Sequence, residues 1–178
     1  MKFIRYIAVL LLCFSCVKEV DFDQFDEVEI RSVYIASLAF FQLVADDFLD
    51  DNFNEIQQLE DFVIPQLNTD SVDNLEKMEF AFEFSNSFPR DFFATVYFFD
   101  IDGNVIYKLE PDITILRNTK SIQTVITVEQ PYISLIYSAY RAGFVMQMQS
   151  DDSEPFTYDT DGELSLKSSL TLYLNATL

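Results

Sequence analysis

From Lys77 the chain alternates cleanly. Met78, Phe80, Phe82 and Phe84 fall on one side, with Glu79, Ala81, Glu83 and Ser85 on the other. That period of two marks a strand with one buried and one solvated face. Asn86 to Asp91 then turns the chain. Phe92 to Phe99 (FFATVYFF) is apolar at nearly every position, so it reads as a central strand covered on both sides. Asp100-Ile101-Asp102-Gly103-Asn104 reads as a hairpin loop, its Asp-Gly step supplying the positive φ of a tight turn. Val105 to Leu109 pairs back, and Pro111 is expected to end it. Residues 121–128 form a further strand. Pro131 opens a single helical turn through Tyr137. Tyr140 to Gln149 is again a strand. The last one, Leu164 to Leu174, points Leu164, Leu166, Leu170, Leu172 and Leu174 inward.

The N-terminal half is less regular. Residues 32–45 (SVYIASLAFFQLVA) are β-branched and aromatic and read as a strand, with a helix as the competing reading because the two periods do not separate. Residues 46–77 carry Asp46, Asp47, Asp50, Asp51, Pro65 and Asn68-Thr69-Asp70, and read as a long acidic insertion with one short strand at Phe62 to Ile64. Structureless segments of this length inside a domain usually mark function or mobility. The sum is about seven strands at sandwich spacing, with no run of β-α-β units. The expected fold is all-β: a single antiparallel β-sandwich of immunoglobulin-like type over residues 32–178.

Composition narrows the chemistry. The 178 residues include 30 acidic and 11 basic side chains, for a formal charge of −19, with no His, no Trp, 2 Cys and 3 Gly. Without His there is no Ser-His-Asp or Cys-His nucleophile and no imidazole metal site. Three glycines leave no phosphate-cradling loop. The charge repels nucleic-acid phosphates, so no nucleic-acid partner is expected. At 49 % hydrophobic the chain can still build a core.

The first residues, MKFIRYIAVLLLCFSC, place Lys2 and Arg5 ahead of an unbroken apolar run that is too short to span a bilayer. This is the pattern of an export signal. Its end, Leu12-Cys13-Phe14-Ser15-Cys16, resembles the lipobox of bacterial lipoproteins. The resemblance implies a signal peptide over residues 1–15, a diacylated Cys16 as the new N-terminus, and an acidic tether over residues 16–31. Two acyl chains anchor a protein stably without a transmembrane helix. Loss of Lys2 and Arg5 makes the mature chain two charges more negative than −19. Lys18 and Glu19 just after Cys16 resemble the surface-export signal of Bacteroidota lipoproteins, with Val17 and Val20 departing from it. The layout as a whole resembles small flavobacterial-type outer-membrane lipoproteins. It implies lipid anchoring at the outer membrane, at the cell surface rather than the periplasmic face.

Three features carry candidate chemistry. Asp100-x-Asp102-Gly103 and Asp159-x-Asp161-Gly162 are paired carboxylates on tight turns, and with Asp46, Asp47, Asp50 and Asp51 they form a candidate set for Ca2+. Neither D-x-D-G copy meets the EF-hand spacing, and Asp-Gly hairpin turns account for both without metal. Asp70-Ser71-Val72 resembles the O-glycosylation acceptor of the Bacteroidota, with Ser71 as the attachment point. The Phe doublets 40–41, 92–93 and 98–99 put one ring of each pair on the face away from the core, where either the insertion or another protein covers it. Tyr132, Tyr137, Tyr140 and Tyr158 are the tyrosines a glycan could stack on. No catalytic group stands out. The expected role is a non-catalytic interaction or accessory subunit of an outer-membrane protein complex, with a glycan- or calcium-binding surface module as the alternative.

Overall fold

Among the described residues eight strands form two antiparallel sheets. The computed structural model describes residues 29–64, 74–150 and 154–177. Within them run β1 (Glu29–Leu43), a 3-10 turn (Ala45–Phe48), β2 (Gln58–Val63), β3 (Leu75–Asn86), β4 (Phe92–Phe99), β5 (Val105–Ile115), β6 (Thr119–Glu129), the short helix α1 (Tyr132–Tyr137), β7 (Arg141–Met148) and β8 (Leu164–Thr177). Arg31–Asn175 make one compact unit, and everything below concerns that unit. One sheet has the order β1-β8-β3-β6 and the other β2-β7-β4-β5.

The antiparallel sandwich expected from the alternation is therefore the fold, and its connectivity corrects the immunoglobulin-like detail. The chain behaves as one long ribbon in which β1 pairs with β8, β2 with β7, β3 with β6 and β4 with β5. The ribbon is wound so that successive pairs fall in alternate sheets. That is a jelly roll of eight strands. An immunoglobulin sandwich of seven strands would leave β2 out and divide the rest four to three. The eighth strand is the one the acidic segment conceals. Gln58–Val63 pairs with β7 from Gln58↔Gln147 to Val63↔Ala142, longer than the strand expected at Phe62 to Ile64. Its exposed Gln, Glu and Asp positions hide the period. The segment is also tied down at its start, because Phe48 of the 3-10 turn is fully buried.

Two further strands differ from the sequence reading. Pro111 does not end β5, which continues to Ile115. The strand is the free edge of its sheet, where a missing N–H costs no ladder bond. The pairing skips from Val96↔Leu109 to Ala94↔Ile113, so Pro111 sits within an irregularity. β4 is central but not covered on both sides. Phe92, Ala94 and Phe98 face the core, while Phe93, Thr95, Tyr97 and Phe99 remain half-exposed on the outer face.

The core fills from both sheets. Met78, Phe80, Phe82 and Phe84 of β3 and Leu164, Leu166 and Leu170 of β8 meet Ala94 and Phe98 of β4 and Met146 and Met148 of β7. One end is closed by four phenylalanines. Phe48 lies 5.3 Å from Phe92 and 5.7 Å from Phe156, and Phe88 lies 4.8 Å from Phe156. Gly162, at φ 140°, lies so close to Phe88 that a Cβ there would come within 2.4 Å of the ring. The same end holds a buried ion pair. Arg90, with only 3 % of its side chain exposed, reaches Glu55 at 3.4 Å and donates to the Glu154 carbonyl at 2.7 Å. Glu55 in turn accepts the Phe156 N–H at 2.8 Å. Asn86 completes the turn there, donating to the Arg90 carbonyl and accepting the Phe88 N–H.

Candidate functional site

The acidic candidates act within their own turns. Asp50 accepts the N–H groups of Asn52 and Asn54 at 2.8 Å and the Asn54 amide at 3.1 Å. Those bonds, the Asn54 side chain first, hold its pKa below the ordinary carboxylate value. Asp100 does the same for Asn104 at 2.8 and 3.0 Å, and is lowered for the same reason. Asp47 accepts the Val44 N–H at 2.8 Å. Asp46, Asp51, Asp102, Asp159 and Asp161 are exposed. Among the described residues no three acidic or sulfur side chains come together as a metal-holding group. Cys16, Lys18, Glu19 and Ser71 lie outside the described residues. Among the described residues no helix is long and apolar enough to cross a membrane.

Of the four tyrosines, Tyr132 packs against Tyr107 with centroids 5.4 Å apart. No ring contact joins it to Tyr137, Tyr140 or Tyr158, so no stripe of the four forms. The Phe doublets divide as expected by face. Phe92 and Phe98 are buried, Phe93 and Phe99 half-exposed, and Phe41 packs on Phe144 at 5.5 Å while Phe40 is 68 % exposed. Phe99 is covered by Phe62, at 5.9 Å, so the insertion does fold over one ring.

Two surfaces stand out instead, and neither is visible in the sequence. The first is a cleft of about 280 Å³ between β1 and β2, which are edge strands among the described residues. Leu38, Phe41, Val63, Ile64, Phe82 and Phe144 wall it, and Asp61 is its one acid. Ser168 of β8 lines it at a position in register with the inward Leu166 and Leu170. That hydroxyl accepts the Ala39 N–H at 3.0 Å and donates to the Ala39 carbonyl at 3.2 Å. Around the cleft, Val33, Tyr34, Ile35 and Phe40 of β1 and Val63 and Ile64 at the end of β2 are exposed.

The second is the outer face of the β2-β7-β4-β5 sheet, a cavity of about 450 Å³ that includes Glu60, Phe62, Tyr97, Phe99, Arg141 and Gln147. The Arg141 guanidinium sits 4.6 Å from the Phe62 ring centre and 5.1 Å from that of Phe99. The sequence carries no signal for this face, because β2 (QLEDFV) is exposed at most positions and shows no clean alternation.

A polar cluster also occupies the opposite sheet. Lys77 Nζ meets Glu79 at 2.8 Å and lies 4.0 Å over the Tyr173 ring, and the Tyr173 hydroxyl donates to Glu79 at 2.6 Å. The Lys77 bond, then the Tyr173 bond, keeps Glu79 below its ordinary pKa. The Glu79 bond in turn raises Lys77 and Tyr173. The group lies on a half-exposed sheet face.

The fold defines the class as an eight-stranded jelly-roll sandwich. No protein-family model matches the chain, and no curated protein does. Among solved structures, a protein of Parabacteroides distasonis described as secreted is 12 % identical at TM-score 0.49, over 65 % of this chain and 37 % of its own. A structure of infectious bursal disease virus, Gx strain, is 13 % identical at 0.44, over 82 % and 33 %. The CBM22-1 xylan-binding domain of Paenibacillus barcinonensis Xyn10C is 12 % identical at 0.33, over 83 % and 86 %. The chain thus spans little more than a third of the first of these, and a third of the second. At these identities and scores the likenesses assign neither a family nor a function.

Proposed function

We propose that this chain is a non-catalytic interaction module, held at the outer membrane by an acylated Cys16 and serving as an accessory subunit of an outer-membrane protein. The partner binds along the β1/β2 edge. The supporting observation is the coincidence of two strand edges that no other described strand covers, an apolar cleft between them, and a fringe of exposed Val, Ile and Phe side chains. Unpaired edges offer N–H and C=O groups to an incoming strand, and alternate pockets take its side chains. Exposed apolar patches of this kind mark partner sites. The lipid anchor restricts the search for that partner to the membrane surface.

A photo-crosslinking side chain placed at Ile35 in living cells should give one discrete adduct with a membrane protein, and the same group at Thr127 of β6 should give none. Equal labelling from both positions would remove the edge as the interface. Palmitate labelling that persists in Cys16→Ser would remove the anchor.

A further inference from the structure

We infer that the outer face of the β2-β7-β4-β5 sheet is a saccharide site in which Arg141 receives a sugar carboxylate. This goes beyond the edge interaction and uses a different surface. Three observations carry it.

The first is a glycine. Gly143 lies buried in the middle of β7, and a Cβ there would come 2.8 Å from the Phe99 ring and 2.9 Å from the Phe62 ring. One of only three glycines in the chain therefore leaves room on the sheet for two rings that meet edge to face. Tyr97 extends this platform, 6.2 Å from Phe99.

The second is the charge pattern. Acids outnumber bases by 30 to 11, and Lys77, Arg90, Lys108 and Arg117 each take a carboxylate. Among the described residues Arg141 takes none. It is held by the faces of two rings, half-buried, with its N–H fork unengaged. Lys120 and Lys167 also lack an ion pair, but both are exposed to water. A stacked guanidinium is pre-oriented, and its planar fork matches the two oxygens of a carboxylate. In a chain this rich in acid, a half-buried cation without one fits an anion supplied from outside.

The third is the surrounding chemistry. Glu60 accepts from the Gln58 amide at 2.5 Å and keeps lone pairs for hydroxyl donors, and Gln147 stands on the neighbouring strand. A fatty acid would satisfy Arg141 and the rings but not Glu60. A pyranose offers an apolar C–H face to aromatic rings and a rim of hydroxyls to amides and acids. Uronic acids add the carboxylate. The net charge of −19 disfavours long polyanions, so the fitting ligand is a short or sparsely carboxylated glycan.

The test is titration calorimetry with a galacturonic-acid trimer, the neutral galactose trimer, and a neutral-sequence tripeptide with a free C-terminus. The acidic trimer should bind the intact protein at least about tenfold tighter than the neutral one. Arg141→Gln should abolish that difference, and Arg141→Lys should restore only part of it, because an ammonium cannot form the fork. Tyr97→Ala should weaken both trimers, and a β1-edge variant such as Phe40→Lys should change neither. Equal binding of the two trimers, no binding of either up to about 10 mM, or tighter binding of the tripeptide would each overturn the assignment. If Arg141→Gln melts early, Arg141→Lys and Tyr97→Ala carry the test alone.

Discussion

Phe40 and Phe48 belong to one stretch of chain, yet one ring is 68 % exposed and the other fully buried. The contrast extends to their surroundings. Around Phe48, the rings of Phe88, Phe92 and Phe156, the glycine at 162 and the Arg90–Glu55 pair close one end of the sandwich. Around Phe40 the edge strands β1 and β2 leave a cleft, and apolar side chains stand in water. Both regions are rich in Phe, so the number of rings does not separate them. What separates them is enclosure. A ring contributes to stability in proportion to the apolar area it removes from water. The closed end therefore carries the fold, and the open edge is free for another use.

Substitutions should break this contrast in a definite order. Phe48→Ala should cost the most, about 3–5 kcal/mol in urea unfolding, because it opens a cavity among three other rings. Arg90→Ala should cost about 3 kcal/mol, since it leaves Glu55 charged and largely buried without its cation. Gly162→Ala should cost about 1–3 kcal/mol, from the collision with Phe88 and from a backbone that favours glycine. At the open edge the double variant Val33→Lys, Phe40→Lys should change stability by less than about 0.5 kcal/mol per site while abolishing the crosslink formed from position 35. A large loss of stability from that double variant would show that the edge is core rather than interface.

Two smaller effects sharpen the picture of the surface. Glu79 has its pKa lowered by Lys77 and Tyr173, so its contribution is present above its ordinary value of 4.5 and lost as pH falls through the lower folded value. Lys77 and Tyr173 have raised values, so their share is present below the ordinary 10.5 and 10.0 and is lost as pH rises above them. Glu79→Gln should flatten both limbs of a melting temperature against pH curve. Smallest of all, a chelator should leave the melting temperature unchanged, since the Asp50 and Asp100 carboxylates are engaged by Asn54 and Asn104.

The strands legible in the sequence are those whose two faces differ in polarity. β3 and β8 alternate, and β4 is apolar enough to stand out between turns. β2 was foreshadowed only at its end, because an edge strand in an acidic segment shows water on most positions. Pro111 misled because proline forbids a central strand but not a free edge. The jelly-roll order was hidden for a related reason: it depends on which strands pair across long loops, and local pattern carries no record of that. The candidate site was less legible still. Arg141 and Gly143 look like ordinary strand residues until Phe62 and Phe99 arrive from two other strands. The paired aspartates were legible as turns, which is how Asp100 serves here.

The irregularity at Pro111 has a consequence for assembly. On the β5 side, Glu110, Pro111 and Asp112 interrupt the row of donors and put charge along it, while β1 on the opposite side offers a long, apolar border. The β2-β7-β4-β5 sheet can therefore take an added strand at β2 more readily than at β5, which works against propagating a ladder through both of its edges. Receptive at one edge and blunt at the other, this sheet can meet a partner strand without extending through itself.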